Sequence, residues 1–155
     1  MNTLVVYDSR FGNTKIIAEA IGGAIPGRVR VAHADDVVVS ELDNYSLLIV
    51  GAPTHGGRPS ESAGEMLGKI RKSALVGIKV AAFDTRLPSN WVKIFGFAAP
   101  RIAKKLKKSG GSLVVEPEGF FVVDGEGPLA EGERERATAW AREIASRVEM
   151  REPVY

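Results

Sequence analysis

The sequence predicts an α/β three-layer sandwich: a five-stranded parallel sheet of order 2-1-3-4-5 with helices on both faces. Three observations lead there. Short apolar runs alternate along the chain with helical patterns, which demands right-handed crossovers and a parallel sheet. One run, Leu47-Leu48-Ile49-Val50, is apolar without a break, as a strand covered on both faces must be. No Pro/Gly/Ser linker divides the 155 residues, so one domain spanning 1–155 is expected, and short chains of this kind take that strand order.

Taken in order, Leu4-Val5-Val6-Tyr7 is the first strand. Ile17, Ile21 and Ile25 then mark one helix face, closed by Gly22-Gly23 and Pro26-Gly27. Val29-Arg30-Val31-Ala32-His33 alternates, as a strand with one wetter side would. After the apolar third strand, residues 60–71 read as a helix capped by Ser60, with Met66, Leu67 and Ile70 on one side. Val80-Ala81-Ala82-Phe83 is the fourth strand. Leu113-Val114-Val115 and Phe120-Phe121-Val122-Val123 supply a fifth, interrupted one. In the last helix Ala137, Trp140, Ala141, Ile144, Ala145 and Val148 form a core-facing stripe about 100° wide, which makes Trp140 structural.

Composition excludes several kinds of chemistry. There is no cysteine, hence no disulfide, thiolate metal site or thiol nucleophile, and two histidines, His33 and His55, leave little for a metal centre. Redox chemistry would have to come from a cofactor. Hydrophobic residues make up 45% of the chain and mean hydropathy is −0.02, but no apolar run approaches membrane-spanning length and the N-terminus lacks a signal peptide's basic region. A soluble, cytoplasmic protein without stable membrane insertion is the expectation. The formal charge of +2 is too small to argue for nucleic acid. Arg101, Lys104, Lys105, Lys107 and Lys108 concentrate charge on one helix. That helix is a solvated face or a docking surface for an acidic partner, with its start near the third loop and its cation-rich end free to point away.

In this architecture function sits in the loops after the strands' carboxyl ends, here residues 8–14, 52–60, 84–97 and 124–131. The first reads Asp8-Ser9-Arg10-Phe11-Gly12-Asn13-Thr14. Its hydroxyls, amide and flexible glycine stand where a helix's first N–H groups lack partners, a ready phosphate site; as helix caps alone, Ser9 or Asn13 would serve structure only. Two other phosphate loops are ruled out, since a dinucleotide fingerprint needs three glycines and no G-x-x-x-x-G-K-[ST] is present. A phosphoacceptor receiver is disfavoured by Gly51-Ala52-Pro53, where it would carry an aspartate.

The stretch V-V-Y-D-S-R-F-G-N-T-K-I-I-A resembles the FMN-phosphate signature of the flavodoxin family, S/T-x-x-G-N-T after an aliphatic pair and an aromatic. Ala20 departs, standing where an aliphatic residue is usual, and the resemblance extends over the whole chain. It implies noncovalent FMN, with its phosphate on Ser9, Arg10, Phe11, Gly12, Asn13 and Thr14 and its ring between the second and third loops. The second loop would contribute Pro53, Thr54, His55 and Gly56. Gly56 matches the glycine whose carbonyl flavodoxins turn toward flavin N5 once an electron has arrived, and His55 stands where many carry a tryptophan. In the third, Asp84 and Thr85 would meet the pyrimidine edge through side chain or backbone, Arg86 would bring a cation near the ring, and Trp91 would cover the outer ring face. Trp91, Phe95 and Phe97 are also spaced in part like a core stripe.

Three functions remain open on sequence: an FMN carrier of single electrons serving redox partner proteins, an FMN-dependent oxidoreductase acting on a quinone or porphyrinogen-type substrate, and a cofactor-free module. Electron-carrying flavodoxins are strongly acidic as a rule, so a charge of +2 points to a specialised member. If the third loop covers the ring, FMN should quench Trp91 fluorescence and leave Trp140 unaffected. A Trp91→Ala variant that binds FMN as tightly as the parent would remove Trp91 from the site.

Overall fold

The computed structural model describes residues 1–54, 59–88 and 96–151. In chain order its elements are β1 (Asn2–Tyr7), α1 (Asn13–Ala24), β2 (Arg28–His33), 3-10 turns at Ala34–Asp36 and Val39–Asn44, β3 (Leu47–Pro53), α2 (Glu61–Gly68), β4 (Lys79–Arg86), α3 (Ala98–Lys108), β5 (Ser112–Leu113), β6 (Glu118–Phe121) and α4 (Glu133–Arg151). All strand pairings in the sheet are parallel, in the order β2-β1-β3-β4-β5 that the sequence predicts. Val5 stands between Val31 and Ile49, and Ile49 between Val5 and Ala81. The interrupted fifth strand is real: β5 pairs with Lys79 and Val80, and β6 with residues 83–86 of the same β4 edge. Pro117 lies in the gap and has no N–H to give the ladder.

The period of two along each strand sorts side chains to the two faces. Leu4, Val6, Leu48, Val50, Val80 and Ala82 pack with Met66 and Leu67 of α2 and Ile102 and Leu106 of α3. Val5, Leu47, Ile49, Ala81 and Phe83 pack on the opposite face with Ile17 and Ile21 of α1 and Trp140 and Ile144 of α4. Strand β2, at the edge, exposes Arg28 and Arg30 and half-buries Val29 and Val31. The stripe on α4 is buried throughout, and Trp140 meets Phe83 and Phe120 edge-on at 6.1 and 5.9 Å. Trp140 is structural, as the spacing predicts.

Several boundaries differ from the sequence reading. Helix α1 runs on through Gly22 and Gly23 to Ala24, and the halves of the fifth strand are Ser112–Leu113 and Glu118–Phe121 in place of 113–115 and 120–123. Helix α2 ends at Gly68, although Ile70 beyond it is still buried, and Ser60 makes no side-chain cap because its hydroxyl donates to Asp8 instead. Strand β4 runs on through Asp84, Thr85 and Arg86, so the third loop begins at Leu87. The cause is two-sided pairing: Thr85 has Pro53 on one side and Phe120 on the other.

The β6 edge is closed by side chains. Among the described residues no further strand lies beyond it, and the Phe121 N–H donates to Glu133 Oε2 at 2.7 Å while Arg136 donates to the Gly119 carbonyl. Arg136 also pairs with Glu133 and with Glu118, at 2.6 and 2.9 Å, and stands 4.5 Å over the Phe120 ring. Hydrogen bonding from Arg136, aided by the Phe121 N–H and against the opposing effect of burial, holds the Glu133 carboxyl below its ordinary value. A carboxyl lowered by folding stabilises above its unfolded pKa, and that contribution disappears as pH falls through the folded value. Glu133→Gln should therefore cost about 1.5–3 kcal/mol at neutral pH, the scale of a hydrogen bond to a charged group. Denaturation curves of variant and parent should converge as pH falls below the ordinary carboxylate range.

Candidate functional site

The site is built around the turn between β1 and α1. Gly12 takes φ 93°, a left-handed conformation open to glycine at little cost, and occupies the N-cap of α1 without a side chain to cap it. Ser9 Oγ accepts the Gly12 N–H at 3.0 Å, which leaves the Ser9 hydroxyl hydrogen to donate elsewhere. The first helical bond runs from Ile16 N–H to the Gly12 carbonyl. The N–H groups of Asn13, Thr14 and Lys15 have no acceptor among the described residues. Three adjacent unpartnered N–H groups at a helix start form a seat for an anion.

Side chains tie this turn to β4, to the 124–131 loop, to the start of α2 and to the end of β2. The buried hydroxyls of Thr14 and Thr85 are 2.8 Å apart; together they carry two protons and spend one on each other, so one remains to donate. Asn13 Nδ2 donates to the Glu126 carbonyl at 3.1 Å. Asp8 Oδ2 accepts the Ser60 hydroxyl at the start of α2, and Asp8 Oδ1 lies 3.1 Å from His33 Nε2 at the end of β2.

Between these ties lies a cavity of about 290 Å³ lined by Ser9, Arg10, Phe11, Asn13, Thr14, Pro53, Thr54, Thr85, Arg86, Leu87, Val122 and Gly125. Among the described residues no carboxylate is in that lining. Hydroxyls, amide N–H groups and two guanidinium side chains beside apolar Pro53, Leu87 and Val122 form the donor set that a phosphate ester with an apolar body requires, so the residues present fit FMN. Sequence reasoning named most of these positions. It placed the 124–131 loop at this edge but assigned it no residue, and so missed Gly125; Leu87, in the 84–97 loop, and Val122, just past β6, were passed over as well. His55, Gly56 and Trp91 lie outside the described residues.

Two expectations change. Asp84 does not line the cavity: it is fully buried, pairs both oxygens with Arg86 at 2.7 and 2.8 Å, and accepts the Ala99 N–H at 2.9 Å. With Thr54 Oγ1, which accepts the Ala98 N–H at 3.1 Å, it caps α3. A buried carboxylate needs such partners, and α3, which follows a long segment in sequence, gave no sign that its first turn would reach back to β4. Arg86 does reach the cavity, but its charge is largely spent on Asp84. Its guanidinium lies 3.4 Å from the Phe97 ring centre, and a β-carbon on Gly119 would collide with it. The basic helix also resolves: α3 starts at the carboxyl edge and runs about 16 Å away from it, which carries Lys107 and Lys108 to the opposite pole.

The family model described as Flavodoxin matches residues 5–140. A flavodoxin of Maridesulfovibrio salexigens is 27% identical over 153 residues, covering 94% of this chain and 98% of that one. Among solved structures, oxidised Flavodoxin 2 from Bacillus cereus superposes with TM-score 0.82 at 24% identity, over 94% of this chain and 99% of that one. A flavodoxin from the domain Archaea gives TM-score 0.75 at 25% identity, over 96% and 99%. The chain belongs to the flavodoxin family. Accordingly it binds FMN and transfers electrons to redox partner proteins, and the readings as a substrate-oxidising enzyme and as a cofactor-free module are not favoured. Among the described residues no helix is long and apolar enough to cross a membrane.

The threonine pair yields a direct expectation. Thr14→Ala should weaken FMN by about 1.5–3 kcal/mol, as loss of a hydrogen bond to a charged group does, and leave riboflavin nearly untouched. Thr85→Ala should be strongly non-additive with it in a double-mutant cycle. Equal losses for FMN and riboflavin would remove Thr14 from the phosphate seat.

Proposed function

We propose that this flavodoxin holds the FMN phosphate on the turn of residues 9–14 and receives an acidic redox partner along α3. The observation that carries the first part is a donor-rich lining without a carboxylate among the described residues: the free N–H groups of Asn13, Thr14 and Lys15, the spare protons of Ser9 and the threonine pair, and Arg10. FMN, when bound, supplies the one-electron chemistry; the protein supplies binding, orientation and electrostatics. Ser9, Asn13 and Thr14 donate hydrogen bonds to the phosphate, Arg10 offers it a countercharge, and Pro53, Leu87 and Val122 keep water from the body of the ligand. Arg86 brings a positive charge to the cavity that Asp84 moderates, so it orients more than it attracts. Gly56, His55 and Trp91 are proposed as the ring contacts, on the resemblance of their loops to those of the family.

The partner surface is argued from α3. Pro100, Ala103, Leu113 and Pro117 floor a groove of about 670 Å³ whose rim carries Lys104, Lys107 and Lys108 against the single Glu116. Lys105 turns aside, its ammonium 3.3 Å from the Ile70 carbonyl. An acidic segment complements that rim, and the groove runs along α3, whose first turn Thr54 and Asp84 cap at the site.

Titration of the apo-protein with FMN, riboflavin and FAD tests the seat. FMN should bind tightest, and equal affinities for FMN and riboflavin would sink the phosphate assignment. For the partner surface, electron-transfer rates should fall steeply as salt rises, because steering acts over about 8–10 Å. Lys104→Glu with Lys107→Glu should slow transfer and leave FMN affinity alone. Rates indifferent to both salt and charge reversal would leave the lysines a solubility role.

A further inference from the structure

Asp8 is a carboxylate one residue upstream of a turn made of donors, and its negative charge opposes the phosphate that the turn is read to hold. Its side chain is only 13% exposed. It is not there for want of a better-placed residue, because both oxygens are engaged: Oδ2 by the Ser60 hydroxyl and Oδ1 by His33 Nε2. His33 Nδ1 accepts the Asp35 N–H at 3.0 Å, so the neutral ring carries its single proton on Nε2 and donates it to Asp8. The Asp35 carboxylate lies 3.7 Å from that same Nδ1, and Tyr7 meets the ring edge-on at 5.5 Å. Among the described residues, the groups that face His33 are Tyr7 and Asp8 from the end of β1 and Asp35 from the 3-10 turn, with Ser60 at the start of α2 joined through Asp8.

A second proton on this imidazole has a place to go. It would displace the Asp35 N–H from Nδ1 and turn toward the Asp35 carboxylate, while the bond to Asp8 became charge-assisted and stronger. It would also offset the Asp8 charge beside the anion seat. Histidine is the side chain whose ordinary charge change falls near neutral pH. We propose that Asp8, His33 and Ser60 form a proton-linked latch between the phosphate turn and the start of α2, so that FMN affinity rises when His33 takes up a proton. The latch rests on the reading of residues 9–14 as the phosphate seat. Asp8 and His33 are positioning residues in it: they hold Ser60, where the 54–60 connection enters α2.

The test compares the full-length wild type with His33→Gln, which keeps a polar side chain and cannot titrate. FMN dissociation constants are measured from about pH 5.5 to about pH 8.5. The ligand's own phosphate titration enters both proteins and cancels in their ratio. The advantage of wild type over His33→Gln should shrink by about three- to tenfold across that range, and Asp8→Asn should shrink it likewise. In the apo-protein, the His33 ring nitrogen resonances should show the proton on Nε2 and an acceptor at Nδ1, a readout independent of FMN; a proton on Nδ1 instead would overturn the latch. An affinity ratio constant within about twofold, in a chain that binds FMN, overturns the latch alone. A wild type that binds no FMN at any pH overturns the seat, and the latch with it.

Discussion

The left-handed turn at Gly12 is the constraint on which the carboxyl edge of this protein depends. It lets the chain leave β1 and enter α1 without a capping side chain, and so leaves the Asn13, Thr14 and Lys15 N–H groups facing outward. The same turn brings Thr14 under the sheet to Thr85 and Asn13 across to Glu126. A residue with a β-carbon would meet no neighbour at position 12, but it would resist that φ. The glycine is required by conformation and not by space.

Buried charge is handled at the same edge by a second rule. Asp84 has no solvent and would be costly alone, yet it is met by Arg86 with two bonds and by the first turn of α3 with a third. That arrangement fixes where α3 begins relative to β4, and hence the direction in which its lysines run. Glu133 and Arg136 play the corresponding part at the sheet's β6 edge, where backbone groups without a further strand are satisfied by side chains of α4.

The fold was legible because its signals are local. Uninterrupted apolar runs mark β3, alternation marks the edge strand β2, and the α4 stripe assigns Trp140 to the core, all without knowledge of the rest of the chain. The glycine turn and its unpartnered helix start were legible for the same reason, since Ser9 to Thr14 is contiguous. What escaped were pairings between distant residues. Nothing within the stretch around Asp84 says that Ala99 will donate to it, and nothing near Asp8 announces His33 and Ser60. A side chain's place in the cavity or behind it is decided by partners 2, 15, 25 or 52 residues away. Contiguity was readable and long-range hydrogen bonding was not.

The ties that hold the β1–α1 turn end at Thr85, at Ser60 and on the Glu126 carbonyl, with His33 joined through Asp8. They reach residues 25 to 113 positions away along the chain. The turn is therefore local in sequence and global in support: a fragment carrying β1 and α1 alone would contain every residue of the turn and would lack these anchors.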